Sequence, residues 1–294
     1  KKQGKLDQEI IEYERLIEMA PQEISIMNDL SKLYKDNDRF DDQIFILEKI
    51  LKIDGDNEIA QSELAMAFES SGRDPRDVYR KRYEDNPENL SYGLDYAERL
   101  IQVDRQVDAL PILKEVINQD PSSKLAYRKL GDANKSIDDL KNAASAYEEL
   151  FKIDPRDSRV AINISDIYLD DGDYRLALKW ADKASSLENS TGDGYGQKGK
   201  VYYFGWENFR QNPFTVDDRI VAKLAYDYFL KAEKKDFKGF SKKEWLNENA
   251  KDILYGKAQW FMAADKVKRS RSISTTSANY DWINESLKAE INWK

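Results

Sequence analysis

The sequence contains no cysteine and no histidine. The first absence excludes disulfides and thiolate chemistry. The second removes the usual general base and the commonest neutral metal ligand. A chain without cysteine fits an oxidising compartment such as a bacterial periplasm, so a periplasmic or envelope-associated location is expected ahead of the cytoplasm, with which the absence is also compatible. No apolar run approaches the ~18 residues that a membrane-spanning helix needs, which leaves only peripheral association with an envelope open. No leader pattern stands at Lys1, and a leader already removed would leave the same start.

What is present is charge, and it is unevenly placed. Charged residues make up 35% of the chain and hydrophobic ones 40%, a balance suited to helices that stay wet on one side. Residues 1–191 carry 28 Lys+Arg against 41 Asp+Glu, whereas residues 192–294 carry 19 against 14. The second segment also holds 19 of the 34 aromatics and five of the six tryptophans, which marks a boundary near Thr191.

Between those limits the chain repeats itself every 34 residues. In 124–157, Tyr127, Leu130, Gly131, Ala143, Tyr147, Leu150 and Pro155 occupy positions 4, 7, 8, 20, 24, 27 and 32. In 158–191 the same positions hold Ala161, Ile164, Ser165, Ala177, Ala181, Ala184 and Asn189. Apolar residues at intervals of three and four, resuming after a turn, predict two amphipathic helices per unit. Small residues at 8 and 20 let the helices approach, and large ones at 4, 24 and 27 fill the space around that contact. Pro87, Pro121 and Pro155 fall 34 apart, each just past a predicted helix end.

These units resemble the tetratricopeptide repeat (TPR) family. The resemblance spans roughly residues 6–230 and implies an all-α, right-handed α-solenoid of helix pairs. Residues 1–23 read as the second helix of an incomplete repeat, which predicts either further chain upstream or an N-terminal cap. Five repeats follow, at 24–57, 58–89, 90–123, 124–157 and 158–191. In the second of these, Lys81 sits where an apolar residue usually packs. Residues 192–294 read as a degenerate sixth repeat with an insertion at about 206–218, followed by a helical cap. The cap is predicted as a long helix opened by a box at Ser241–Glu244 and running through Met262, then a final helix over 279–293.

Chemistry is harder to find. Gly194, Gly196 and Gly199 followed by Lys200 satisfy two nucleotide-binding patterns, but Val201 stands where Ser or Thr must bind magnesium, and the preceding segment reads as helix. The acid pairs Asp138/Asp139, Asp170/Asp171 and Asp217/Asp218 fall at predicted helix ends, where Asp caps, and lack the order of a calcium loop. No catalytic residue, metal or cofactor is therefore expected. Lys266, Lys268, Arg269 and Arg271 read as a solvated basic loop, with an acidic partner or anionic lipid as alternatives. The charge is too small for nucleic acid, and the acidic repeats would repel phosphate.

The resemblance implies a function. In TPR proteins the first helices line a concave groove that holds a partner's peptide or helix, mainly through positions 2, 5, 9, 12 and 13. Carried over, the groove comprises Asn28, Lys32, Lys35, Met66, Leu94, Glu98, Arg128, Asp132, Lys135, Arg159, Asp166, Asp170 and Lys200. Apolar residues are expected exposed there at 59, 66, 94, 101, 125, 162 and 169. The co-chaperone clamp, Lys at 5 and Asn at 9, is reversed here as Asn28 and Lys32, so chaperone-tail binding is not implied. The expectation is a non-catalytic scaffold for a protein partner. Two alternatives rest on the aromatic run Tyr203, Phe204, Trp206, Phe209 and Phe214: a docking site in a bacterial envelope assembly or secretion complex, or a ligand or sugar pocket at the insertion.

Overall fold

Position 15 of every repeat is a turn that few residues tolerate. Asp38, Gly72, Asp104, Asp138 and Gly172 all adopt the left-handed conformation, with φ between 56° and 81°. Glycine does so freely, and Asp at a cost of about 1–2 kcal/mol. In each case the next amide reaches back five residues to the carbonyl at position 11, at 2.8–2.9 Å, closing the first helix. The paired acids follow from this: Asp138 makes the left-handed turn, and Asp139 caps the following helix through the Asn142 amide. At the other end of each unit, Asn57, Asn89, Ser123 and Asp157 cap the helix that follows, each contributing about 1 kcal/mol.

The computed structural model describes residues 2–187 and 192–293, and it divides into two compact units, one ending at Pro121 and one beginning at Ser122. Position 32 of the fifth repeat, Asn189, lies outside the described residues. Unit 1 holds α1 (Lys2–Met19), α2 (Ile24–Lys35), α3 (Phe40–Ile53), α4 (Glu58–Ser70), α5 (Arg76–Asp85), α6 (Leu90–Ile101) and α7 (Gln106–Gln119). Unit 2 opens with α8 (Lys124–Ser136), α9 (Leu140–Ile153), α10 (Ser158–Asp170), α11 (Tyr174–Ser186), α12 (Gly192–Phe209) and α13 (Val216–Glu233). The fold is all-α in both units, a stack of antiparallel helix pairs in each.

Close approach within a pair is visible at Gly131. A Cβ there would lie 2.5 Å from the Tyr147 ring, so position 8 is the floor on which position 24 rests. Where position 8 is Ser165, its hydroxyl donates to the Ala177 carbonyl at position 20, 2.8 Å away. Gly131→Ala sets two effects against each other. Alanine is the better helix former by about 1 kcal/mol. Displacing a buried tyrosine ring costs about 1–3 kcal/mol. The clash is expected to win, lowering the urea midpoint of the full chain.

The joint of unit 1 around α5 is poorly filled. Lys81, at position 24 of the second repeat, is exposed and pairs with Glu48 at 3.1 Å. A cavity of about 490 Å³ lies beside it, floored by Leu51, Leu64, Phe68 and Val78. Arg82 bridges the gap instead, lying 3.4 Å from the centre of the Tyr92 ring and donating to Gln61.

Beyond α13 the chain departs from expectation. The single long helix is three short ones, α14 (Lys243–Glu248), α15 (Ala250–Ile253) and α16 (Lys257–Met262). Breaks at Asn249 and at 254–256 let Leu246, Ile253, Leu254, Tyr255 and Trp260 all reach the core, which one straight stripe could not. The box at Ser241–Glu244 is displaced by one residue: Lys242 is the N-cap and contributes no side-chain bond, while the Ser241 hydroxyl accepts the Lys243 amide at 3.2 Å. The helical pattern read over 279–293 is also wrong. After α17 (Asp265–Ser270), a two-residue strand β1 (Ser272–Ile273) pairs antiparallel with β2 (Leu287–Lys288), flanked by single 3-10 turns at Ala278–Tyr280 and Ile291–Trp293. The insertion too is mostly helix: α12 and α13 each run to 18 residues, leaving a loop only at 210–215.

This tail is a strap over unit 2, held by buried polar groups. Lys198 on α12 is bound by Asp182 of α11 at 2.5 Å and by Glu285 of the strap at 3.2 Å. Glu285 also accepts from the hydroxyls of Tyr202 and, at 2.7 Å, Tyr228. Lys223 on α13 pairs with Asp227 at 2.5 Å and with Glu290 of the strap at 2.8 Å. Asp217 accepts the amides of Thr276 and Ser277, and Asp218 accepts from Tyr280 at 2.6 Å.

Candidate partner-binding surface

On the first helices of unit 1, Asn28, Lys32, Lys35, Met66 and Glu98 are exposed, and Leu94 is half-buried. Of the large apolar side chains on these helices, Ile59 is the most exposed, at 73%. Lys35 on α2 reaches Glu63 on α4 at 3.6 Å, an acid–base rung between neighbouring first helices.

Unit 2 carries more rungs. Arg128 on α8 lies 3.5 Å from Asp157 at the start of α10, and Lys135 lies 3.5 Å from Asp170 at its end. Asp166 on α10 accepts from both Lys200 at 2.8 Å and Gln197 at 2.7 Å on α12. Asp132 accepts the Tyr147 hydroxyl, and burial together with that bond and the carboxylate charge drives the phenol well above its ordinary range. Arg159 is exposed with no charge partner among the described residues. Leu125 is open to solvent, and Ile101 of unit 1 and Ile162 of unit 2 are half-buried. Leu169 corrects the expectation of exposure: it is buried in the core of unit 2.

The aromatic run is divided by burial. Trp206 is 0% exposed and Tyr203 is buried, so neither can be a contact residue without unpacking α12 from its neighbours. Phe209 and Phe214 are half-buried, Phe209 edge-on to Tyr174 and Tyr280 and Phe214 beside Trp206. Phe204 alone is open, at 37% exposure, and it stacks on Phe240 at 5.3 Å. Phe240 and Trp245 are similarly exposed, and both pack against Tyr203. An aromatic shelf of Phe204, Phe240 and Trp245 thus adjoins position 12 of α12. Phe240 and Trp245 escape a sequence reading because the turn after α13 brings them back across more than thirty residues.

The nucleotide-like glycines lie inside α12, and a Cβ on Gly199 would meet the Phe229 ring at 2.6 Å, so that glycine serves helix packing. Among the described residues no group of three acids is placed to hold a metal ion, and no helix is long and apolar enough to cross a membrane. The surfaces above offer shape, apolar contact and charge, the means of recognition.

A sequence model described as Tetratricopeptide repeat matches residues 24–57 and 126–157. No curated protein matches the chain. Among solved structures it is similar to MamA, at 20% identity over 59% of this chain and 94% of that one, with a TM-score of 0.46. YrrB, titled a TPR protein with an unusual peptide-binding site, aligns at 16% identity over 62% of this chain and 95% of that one, with a TM-score of 0.43. MamA 41-end from Desulfovibrio magneticus RS-1 aligns at 17% identity over 57% and 96%, with a TM-score of 0.41.

Proposed function

We propose, from the premise that this chain is a tetratricopeptide repeat protein, that it is a non-catalytic scaffold holding an extended peptide or helix of a protein partner against its first helices. The observation that carries this reading is the unit 2 surface: α8 and α10 present acid–base rungs, open Leu125 and Arg159 with no ion pair among the described residues, and the Asp166–Lys200 rung meets α12 one helical turn before exposed Phe204. Exposed apolar and aromatic side chains rimmed by charge suit protein recognition. A second reading, docking of an envelope-assembly partner at the C-terminal end, is favoured by the shelf itself, since solvent-facing aromatics are the commonest hot spots. For the reading of a sugar or ligand pocket at the Trp206–Phe214 insertion, Trp206 is fully buried and only the half-buried rings of Phe209 and Phe214 remain to line it.

A displayed random-peptide library panned on the intact chain tests both. Selected peptides are expected to lose at least about tenfold in affinity on Arg128→Glu/Lys135→Glu/Arg159→Glu, with charged rim contacts setting part of the effect. Loss on Phe204→Ala and Trp245→Ala of about 2 kcal/mol each identifies the shelf as the anchor. Binding unchanged in the charge-reversed protein sinks the groove reading.

A further inference from the structure

Unit 2 carries a second exposed surface, separate from the first helices. Trp260 at the end of α16 is buried, yet the next two residues, Phe261 and Met262, are 76% and 82% exposed. Ile291 is similarly exposed, and its 3-10 turn packs on α16 through Trp293 against Trp260, ring centres 5.8 Å apart. Beside them runs an apolar groove of about 350 Å³, lined by Val216, Met262, Ala263, Val267 and Ile273.

The surroundings of this patch are cationic. Residues 251–271 hold six Lys+Arg against two Asp+Glu. Lys268 lies over the Phe261 ring at 5.4 Å, and Lys257 precedes Phe261 by one helical turn. Lys257, Lys266 and Arg269 are exposed and make no ion pair among the described residues. The nearby acid of the strap, Glu290, is already engaged by Lys223.

We infer that this patch docks the protein on an anionic lipid bilayer, with Phe261 and Met262 entering the interface and the surrounding lysines and arginines meeting the headgroups. Charge complementarity selects this occupant. A single apolar insertion gives only marginal membrane binding, and stable docking takes a second signal such as a basic cluster; both meet here on one short segment. Charge elsewhere on the acidic chain does not cancel the attraction, because salt screens it beyond about 8 Å. Each Lys or Arg near such a surface strengthens binding roughly fivefold. The docking is peripheral and stands apart from the groove reading.

Co-sedimentation of the intact chain with vesicles of phosphatidylcholine, with and without phosphatidylserine, tests it. The expected result is pelleting with the phosphatidylserine vesicles only, weakening as salt rises. Phe261→Ser/Met262→Ser removes two exposed side chains, leaving the core intact, and is expected to lower the affinity at least about tenfold. Lys266→Glu/Arg269→Glu is expected to do the same while leaving the unfolding midpoint unchanged. No pelleting, equal pelleting with neutral vesicles, or full binding by both variants overturns the proposal. Concentration-dependent dimerisation that the first variant abolishes, without vesicle binding, also overturns it and gives the patch to a second copy of the chain.

Discussion

Replacing Trp206 by alanine is expected to destabilise unit 2 by about 3–5 kcal/mol, the range for emptying a large buried aromatic site. The ring is fully buried, with Tyr203, Phe214 and Trp245 centred 5.8–6.1 Å away and the Arg210 guanidinium over it at 4.9 Å. Three aromatic neighbours and helix backbone cannot collapse into the space without shifting α12. All six tryptophans lie in unit 2, so tryptophan fluorescence in a urea titration follows that unit alone. Phe204→Ala, four-tenths exposed at the surface of the same helix, is expected to cost less than about 1 kcal/mol. A Trp206→Ala protein of normal stability that has lost its peptide ligands would return Trp206 to the binding surface.

Glu285→Ala is the second large effect. It leaves Lys198 buried with only Asp182 as a charge partner and takes the acceptor from Tyr202 and Tyr228. Removing one member of a buried pair costs about 3–5 kcal/mol, because the remaining charge keeps its desolvation penalty. Glu285→Gln keeps the shape and some of the hydrogen bonding, so a smaller loss of about 1–3 kcal/mol is expected. Limited proteolysis should cut the strap faster in the alanine variant, and unchanged cleavage and stability would show that Glu285 does not hold it.

The same network fixes a pH dependence. Burial alone raises the Glu285 carboxyl, but the Tyr202 hydrogen bond, the Lys198 charge and the Tyr228 hydrogen bond outweigh it, leaving the group below its ordinary 4.5. Asp218 behaves alike: burial raises it, while bonds from Tyr280 and Thr215 bring it below 3.8. A carboxyl lowered in the folded state binds fewer protons than in the unfolded chain. Its stabilisation is therefore complete above the ordinary value and is lost as pH falls through the lowered one. Unit 2 should hold its urea midpoint down to the ordinary carboxylate values and lose it below them, with a shallower decline in Glu285→Ala.

What could be read from the sequence was whatever repeats locally. Helix periodicity, the small residue at position 8 and the Pro87, Pro121 and Pro155 spacing are properties of contiguous stretches, and they place α2 to α11. Burial on the first helices was half legible: Met66 and Leu125 are open as their positions imply, whereas Leu169 is drawn into the core because α11 and α12 cover it. The strap was illegible. Its helix-like spacing over 279–293 gives way to a path dictated by Lys198, Lys223 and the Asp217/Asp218 pair, all distant in sequence. Buried lysines leave no signature in a window of twenty residues, because only the fold brings their carboxylates to them.

The rungs of unit 2 bear on how any guest is admitted. Arg128, Lys135 and Lys200 already hold Asp157, Asp170 and Asp166 before anything arrives. Engaging those cations is thus an exchange of one carboxylate for another, nearly neutral in heat and only weakly sensitive to ionic strength. A guest that offers negative charge alone has little advantage over the acids it must displace. Selectivity then falls to side chains that have no internal substitute, Arg159, Leu125 and the solvent-facing rings of Phe204, Phe240 and Trp245, so the surface should sort its guests by where they carry bulk and one well-placed acid more than by how much charge they bear.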